Sequence, residues 1–398
     1  MLIGIDASRA VTAQATGTEI YSQRLIRALI DLAPDHRFRL YFNHPPADNL
    51  FRSGNVENKT IPFRRLWTHI RLSLEVTRRP PDVLFVPSHV LPVLHPRRSV
   101  VTVHDLGYLH FPDAYPTTQR LYLDASTRWN ARASARVIAD SQATKDDLTR
   151  RYHTPADKIV VAYPGLDPAI RRVQDPQHIQ AVKARHGIKG EYLLYLGTLQ
   201  PRKNLSRLIE AFGKSSDDSL ALVAQRSGVS RRQQAATDST GALRRVATTH
   251  PLKLVIVGKK GWLYADLFRQ VAQLGLADRV MFPGYLSDAD KAALISGATA
   301  LVFPSLYEGF GFPVIEAMAC GTPVICSSTS SMPEAAGDAA LLVDPLDTNA
   351  IATAIDRILS DIDLRRDLAE RGVTQAAKFT WQACARTVLN VLEDVTRR

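Results

Sequence analysis

The segment 305–316, "SLYEGFGFPVIE", carries residues suited to holding an anion between hydroxyl-rich groups. Glu308 lies at a turn after an apolar, strand-like run, and Gly309 and Gly311 follow it. Glycines let backbone amides approach a ligand closely, and a helix N-terminus favours an anion. Glu316 comes eight residues after Glu308, inside the helix that follows. The pattern predicts a phosphate clamp bracketed by two carboxylates, although a plain strand–loop–helix connection has the same local form.

The elements that must position this clamp are short apolar runs alternating with helical patterns, an order that predicts parallel sheets. Seven runs in the first half are interpreted as strands: "MLIGIDA", "RFRLYFN", "NKTIPF", "PDVLFVPS", "SVVTVHD", "ARVIADS" and "DKIVVAYPG". Six more follow from residue 191: "EYLLYLG", "LKLVIVG", "RVMFPGY", "ALVFPS", "TPVICSS" and "ALLVDP". The segment 164–187 shows no strand pattern and is interpreted as a linker. We expect an α/β protein of two Rossmann-like, doubly wound domains with a cleft between them.

The predicted domains are an N-terminal one over 1–170 and a C-terminal one over 187–380. The helical pattern at 381–398 is expected to join the N-terminal domain. Residues 214–250 are rich in Ser, Thr, Gln and Arg, and they separate a helix from a strand by more than such connections need. We interpret them as an insertion.

Composition narrows the class of protein. A chain of 398 residues is too long for a single core. The sequence contains no run of 18 apolar residues, so we expect no membrane span. Three cysteines without metal-ligand spacing are interpreted as buried, reduced thiols of a cytoplasmic protein. The net charge of +11 is not spread evenly: residues 51–100 hold nine Lys or Arg against three Asp or Glu, whereas residues 1–50 and 101–150 each balance to zero. No nucleic-acid-binding signature accompanies this charge, so phosphorylated substrates or anionic lipid are the expected partners.

Several motifs in order resemble one family. They are "TGTEIYSQRL", "VTVHDLGYLHFP", "IADSQATKDDL", "YPGLD", "YLGTLQPRKNLSRLIEAF", "IVGKKGW", "FPSLYEGFGFPVIEAMACGTPVICS" and "MPEAAGDAALLVDP". Together they run nearly from end to end of the chain. The chain resembles the retaining nucleotide-sugar glycosyltransferases of family four, which have the GT-B fold, and within them the bacterial O-antigen mannosyltransferases.

The resemblance implies a donor site in the C-terminal domain. Lys203 would hold the donor diphosphate with help from Arg202. Many members carry an arginine where this chain has Thr198, so Arg202 is the nearest substitute for that second cation. Glu316 would accept hydrogen bonds from both ribose hydroxyls, as the two oxygens of a carboxylate can.

The resemblance also implies residues beside the transferred sugar. His104, which ends a buried-looking strand, and Glu308 would face that sugar as the catalytic residues. The loop after the first strand, at Gly17 and Thr18, would approach the phosphate and the acceptor. Four loop residues would complete the donor site with their backbones: Gly309, Phe310, Gly311 and Phe312. No DxD metal motif stands at the end of a predicted strand, so we expect no metal requirement and no cofactor, with the nucleotide sugar as substrate.

The predicted function is therefore transfer of a hexose, mannose from GDP-mannose, to a glycan or lipid-linked acceptor in cell-surface polysaccharide synthesis. A UDP-sugar donor is the first alternative. A UDP-sugar epimerase of the same fold and a non-catalytic nucleotide-sugar-binding protein are the others. The expected location is the cytoplasm, with peripheral contact at the inner face of the membrane.

The basic stretch 63–79, "FRRLWTHIRLSLEVTRR", has two interpretations. Leu66, Trp67, Ile70 and Leu74 recur at helical spacing, which is typical of a helix packing its apolar stripe on a sheet. The alternative is an interfacial helix that brings the enzyme to an anionic membrane.

Overall fold

The computed structural model describes residues 1–11, 17–47, 50–63, 65–87, 90–215, 251–261 and 264–397. The predicted insertion at 214–250 therefore lies, from residue 216 onward, outside the described residues. The chain divides into two compact units. Unit 1 contains residues 1–167, 307–312 and 377–398, and unit 2 contains residues 168–306 and 313–376.

Unit 1 is built on a seven-stranded, all-parallel sheet with the order β3-β2-β1-β4-β5-β6-β7. Its strands are β1 Leu2–Asp6, β2 Arg37–Phe42, β3 Val56–Thr60, β4 Val83–Val86, β5 Ser99–Val103, β6 Arg136–Ala139 and β7 Ile159–Val161. All seven overlap the predicted runs. β4 and β5 are buried along their full length, as expected for central strands covered by helices on both faces.

Helices cover this sheet and are joined by one from the end of the chain. They are α1 Gly17–Leu32, α2 Ser73–Arg78, α3 Gly107–His110, α4 Thr117–Ala133, α5 Gln142–Tyr152 and the C-terminal helix Trp381–Arg397. α5 begins where the side chain of Ser141 accepts a hydrogen bond from the Thr144 amide, which satisfies an otherwise unpaired donor of the first turn. The C-terminal helix packs its apolar face into the same core as α1 and β1.

Unit 2 has a six-stranded parallel sheet with the order β10-β9-β8-β11-β12-β13. Its strands are β8 Tyr192–Leu196, β9 Lys253–Val257, β10 Val280–Gly284, β11 Ala300–Phe303, β12 Val324–Ser327 and β13 Leu341–Val343. The helices are α6 Pro176–Arg185, α7 Leu205–Lys214, α8 Ala265–Gln273, α9 Asp288–Ser296, α10 Phe312–Ala319, α11 Met332–Ala336, α12 Thr348–Ser360 and α13 Ile362–Ala376. Both sheets confirm the predicted pair of Rossmann-like domains.

Two sequence interpretations need correction. The segment 164–187, interpreted as a linker, contains α6, because Asp175 caps its first turn and Pro176 occupies the first helical position. The stripe within 63–79 is not one helix. Leu66 has a left-handed backbone, and the helical residues start with a π-helical turn at Thr68–Leu72 that leads into α2.

Candidate active site

His104 lies in the loop that follows β5, and the pairing of β5 with β6 determines which residue lies next to it. β5 and β6 are adjacent and parallel, with Val103 paired to Ala139. The next residue on each strand, His104 and Asp140, therefore lies at the carboxyl edge of the sheet, where doubly wound folds bind ligands. His104 Nδ1 and Asp140 Oδ2 are 2.7 Å apart, and the Asp140 side chain is only 6% exposed. The pair is a buried imidazole–carboxylate hydrogen bond.

The remaining contacts of His104 fix its ring. Tyr21 of α1 packs edge-on against the imidazole, with ring centroids 4.8 Å apart. The Thr144 hydroxyl donates to the His104 carbonyl. The other ring nitrogen, Nε2, is buried and has no hydrogen-bond partner in the described part of the chain. Buried polar atoms are almost always paired. The Pro87 backbone lies close enough to help raise the pKa of His104, but Nε2 makes no bond of ordinary hydrogen-bond geometry within the described residues.

Electrostatics hold a proton on this pair. Burial acts to lower the pKa of His104, but the charge and hydrogen bond of Asp140, with the charge of Asp105 and a bond to the Pro87 backbone, raise it above its ordinary value. Burial also raises the pKa of Asp140, and the His104 ring offsets only part of that rise. Both shifts favour the protonated form of the group concerned.

The glycine-rich loop lies against the backbone of His104 and Asp105. A Cβ on Gly309 would be 2.1 Å from the His104 carbonyl oxygen and 3.0 Å from Asp105 Cβ. Only glycine permits this approach of two backbones. Glu308, the preceding residue, is 8% exposed. Unit 1 thus brings the two predicted catalytic residues into one neighbourhood.

Aromatic side chains anchor the rest of this loop. Phe310 is buried and packs edge-on against Phe312 and Phe379. Gly311, between the two loop phenylalanines, has a φ of +112°, which favours glycine. A Cβ on Gly17 would be 3.8 Å from the Phe312 ring, so the start of α1, where Gly17 and Thr18 lie, is close to the loop as well.

The sequence did not predict the hydrogen bond between Tyr307 and Asp147, which fixes the start of the glycine-rich loop. Tyr307 donates to Asp147 Oδ2 over 2.6 Å, and His110 Nε2 lies 2.8 Å from the same oxygen. The His110 and Tyr307 rings stack with centroids 4.6 Å apart. Burial acts to raise the pKa of Asp147, but the bonds from His110 and Tyr307 lower it overall. The motif "IADSQATKDDL" contained Asp147, but nothing in it indicated this partner.

In unit 2, one short turn carries Arg202 and Lys203, the two basic residues predicted to bind the diphosphate. Lys203 lies in a 3₁₀ turn after β8, and its Nζ is 5.4 Å from the centre of the Phe303 ring. The Arg202 carbonyl accepts a hydrogen bond from the Leu306 amide. The side-chain amide of Asn204, which follows this turn, donates to the carbonyls of Pro304 and Pro345. The turn is therefore fixed to the loop that leads into the glycine-rich segment.

Two more cations lie at this edge of the unit 2 sheet. Lys259 and Lys260 follow β9 after Gly258, and Lys260 pairs in a β-bridge with Leu199, the residue after Thr198. A Cβ on Gly258 would be 1.9 Å from the Gly197 carbonyl, so these two loops run side by side. Lys259 and Lys260 therefore lie on the loop that neighbours Thr198.

The structure gives Glu316 an unexpected partner. Glu316 lies in α10 with its side chain 10% exposed, and Lys291 of α9 donates to Oε1 over 2.5 Å. The cation compensates the buried charge, and each carboxylate oxygen can accept more than one hydrogen bond. Lys291 is 25 residues away in sequence, and no motif pointed to it.

The basic stretch presents apolar side chains outward. Leu66, Ile70 and Leu74 are 66%, 46% and 37% exposed, whereas Trp67 is buried with its indole N–H bonded to the Ile61 carbonyl. The interpretation of a stripe packed on the sheet is therefore wrong for three of its four members. Beside them, Arg65 is exposed.

A cavity of about 520 Å³ opens beside this surface. Leu66 and Trp67 line it, together with Arg9, Asn43 and Tyr122. Its walls combine rings with hydrogen-bonding groups, a mixture that suits a polar ligand with apolar faces.

Comparison with known proteins assigns the chain to a family. The family model described as Glycosyltransferase Family 4 matches residues 15–170, and the model described as Glycosyl transferases group 1 matches residues 178–375. O-antigen chain mannosyltransferase B of Escherichia coli is 27% identical, over 97% of this chain and 98% of its own. O-antigen chain mannosyltransferase RfbU of Salmonella typhimurium is 28% identical, over 73% of this chain and 68% of its own.

Solved structures share the fold. The crystal structure of Anabaena HepE in complex with UDP and glucose has a TM-score of 0.71 at 19% identity and covers 99% of both chains. That of WaaG, a glycosyltransferase of lipopolysaccharide biosynthesis, has a TM-score of 0.70 at 17% identity, over 98% of this chain and 99% of its own. The two parallel-sheet units are those of a GT-B glycosyltransferase. The chain belongs to the family-four glycosyltransferases, near the O-antigen mannosyltransferases.

Proposed function

We propose that this glycosyltransferase moves mannose from GDP-mannose to a glycan or lipid-linked acceptor, with retention of configuration, in cell-surface polysaccharide synthesis. The observation that carries the proposal is the buried Nε2 of His104, which has no hydrogen-bond partner in the described residues and lies in a ring held by Asp140. Mannose as the sugar is supported by the names of the relatives from Escherichia coli and Salmonella typhimurium.

Charge and hydrogen bonding support the donor assignments. Lys203 and Arg202, with Thr198 on the same loop, are proposed to bind the diphosphate, since charge-assisted bonds to phosphate are the strong ones. Glu316 is proposed to bind the ribose hydroxyls while Lys291 continues to donate a hydrogen bond to its Oε1. The backbone of the loop from Gly309 to Phe312 is proposed to line the diphosphate and sugar.

The proposed reaction exchanges one bond at the anomeric carbon for another on the same face. The bond from C1 to the diphosphate oxygen breaks, the bond from C1 to the acceptor oxygen forms, and the acceptor proton passes to the departing diphosphate. His104 and Glu308 would orient the hexose, and the cations of unit 2 would stabilise the developing negative charge. With the charge supplied by these side chains, we propose that transfer requires no metal.

A UDP-sugar is the second candidate donor. The neighbour HepE was solved with UDP and glucose. A thermal-shift panel of GDP, GDP-mannose, UDP and UDP-glucose distinguishes the two. A ligand at one hundred times its Kd adds about 2.7 kcal/mol of stability. We expect the guanine pair to raise the unfolding temperature more than the uracil pair. The reverse order would replace GDP-mannose with a UDP-sugar, and no shift from any of the four would contradict donor binding.

We also propose that unit 1 rests on an anionic membrane through Leu66, Ile70 and Leu74 with their neighbouring arginines. None of the described helices is long and apolar enough to cross a membrane, so this contact would be peripheral. Each basic residue at such a surface contributes about 1 kcal/mol, and the contribution weakens with salt. The cavity that shares Leu66 would then receive the sugar end of a lipid-linked acceptor.

Sedimentation with vesicles tests this contact. Wild-type protein should pellet with vesicles containing phosphatidylglycerol at low salt and less with neutral ones. The double variant Leu66→Ser, Ile70→Ser should lose most of this binding. Leu274→Ser is the matched control, because Leu274 is a comparably exposed leucine, at 45%, in unit 2. Equal pelleting of both variants, or no pelleting of the wild type, would contradict the proposal.

A further inference from the structure

The carboxylate of Asp140 has no role in the assignments above, although it makes the shortest polar contact that His104 has with another side chain. We propose that Asp140 is a positioning residue of the transfer reaction: it holds the Nδ1 side of the His104 ring and so presents Nε2 to the transferred hexose. This inference rests on the proposed function for the identity of the ligand. It deepens that proposal by naming a residue that acts without touching the substrate.

The fold gives this pair little freedom. Pairing of Val103 with Ala139 sets the two residues side by side on neighbouring strands. The short interval between Asp140 and the first turn of α5, capped by Ser141, fixes the backbone that carries the carboxylate. On the other side, Tyr21 packs against the ring and in turn lies 3.4 Å from the Thr102 hydroxyl. Turning the ring by 180° about its Cβ–Cγ bond would place Cδ2 where Nδ1 now lies and break the 2.7 Å contact with Asp140.

A purely structural role does not account for the polar atoms left over. Nε2 of His104 and Oδ1 of Asp140 are both buried, and neither has a partner in the described part of the chain. Leaving such atoms unpaired carries the cost of their desolvation without compensation, whereas apolar residues of similar volume would often be neutral or stabilising at a buried ion pair. These unpaired atoms belong to His104 and Asp140, and the backbone carbonyl of His104 lies next to Gly309. A ligand that reaches Nε2 would give that atom the partner that it lacks among the described residues.

The surrounding charges make the effect of Asp140 measurable. The groups that face His104 include Asp140, Asp105, the Pro87 backbone, the Tyr21 ring and the loop that contains Glu308. Replacing Asp140 by asparagine keeps the shape of the side chain but removes the charge. The pKa of His104 should therefore fall, because Asp140 is the main group that raises it against the effect of burial.

The first arm of the test does not depend on activity. Histidine ring resonances of wild-type protein, assigned by comparison with His104→Gln, report the tautomer and the titration of His104 directly. We expect a hydrogen-bonded Nδ1 proton in the wild type and its loss or displacement in Asp140→Asn, with a lower pKa for the ring. Identical His104 spectra and titrations in the two proteins would overturn the inference.

The second arm measures turnover with the donor that the thermal-shift panel identifies. Asp140→Asn should lower kcat by about 10- to 100-fold, the range for losing a group that orients a functional histidine, while nucleotide affinity stays unchanged. In the His104→Gln background the same substitution should have no further effect, because Asp140 acts through His104. Independent, multiplying losses in the double variant, or wild-type kcat in Asp140→Asn, would overturn the inference.

The control is a second histidine–carboxylate pair in unit 1. His36 Nε2 lies 3.1 Å from Oε1 of Glu393, a residue of the C-terminal helix, and both side chains are half-buried. Glu393→Gln should leave kcat, nucleotide affinity and the His104 resonances unchanged. If wild-type protein transferred no sugar at all, the proposed function would fail while the spectra would still decide the geometry of the pair.

Discussion

Gly309→Ala tests whether the glycine-rich loop and His104 form one site. The new Cβ would lie 2.1 Å from the His104 carbonyl oxygen, whereas real Cβ contacts essentially never fall below 3.0 Å. The partner is backbone, not the end of a flexible side chain, so the loop and the strand end must separate by about 1 Å, a displacement that can cost roughly 100-fold in rate. Overpacking of this kind also destabilises by about 1–3 kcal/mol.

The assay compares three quantities: kcat for sugar transfer, nucleotide affinity and the thermal unfolding midpoint of unit 1. Gly54→Ala is the control, since a Cβ there meets nothing within 4 Å. We expect Gly309→Ala to lose about 100-fold in kcat and to unfold earlier, and Gly54→Ala to behave as wild type. If Gly309→Ala kept the turnover and unfolding midpoint of the wild type, the close approach of loop and His104 would be refuted.

The remaining predictions concern the donor, the metal and the acid stability. Lys203→Ala should weaken GDP binding by about 10- to 150-fold through loss of a charge-assisted contact worth roughly 1.5–3 kcal/mol, measured by titration calorimetry beside the exposed control Lys214→Ala; equal affinities would remove the assignment. Transfer should continue in EDTA, and a large loss that Mg²⁺ or Mn²⁺ restores would contradict this. The pKa of Asp147 is lowered in the fold, so its ionised form stabilises the protein above an unfolded pKa of about 3.9, and that stabilisation is lost as pH falls through the lower folded value. Asp147→Asn should be less stable than wild type near neutral pH, with a difference that shrinks below about pH 4 in unfolding measurements; a pH-independent difference would contradict the reasoning.

The strands could be predicted because buried parallel strands form nearly continuous apolar runs bounded by turn residues. Twelve of the thirteen described strands lie within predicted runs, whereas the polar β3, Val56–Thr60, only overlaps the run predicted at 58–63. The partners of the site residues could not be predicted in the same way. Asp140 meets His104 only because β5 and β6 are neighbours, and sequence order alone does not fix which strands pair. Tyr307 and Asp147 are 160 residues apart, and no local pattern records such a contact.

The surface at 63–79 shows the limit of periodicity. Helical spacing of apolar residues indicates which side chains share a face, but it does not say that the backbone is helical throughout. Here Leu66 adopts a left-handed conformation, so the helical residues begin only at Thr68. Trp67 then turns inward to the Ile61 carbonyl, and Leu66, Ile70 and Leu74 remain exposed.

The most direct measurement of the central claim is the slow transfer of mannose from GDP-mannose to water, followed by proton NMR in the absence of any acceptor. The account predicts release of GDP together with α-mannose as the first-formed anomer, before mutarotation, and loss of both in His104→Gln. First formation of β-mannose would contradict retention. Consumption of UDP-glucose with no consumption of GDP-mannose would contradict the assignment of the donor.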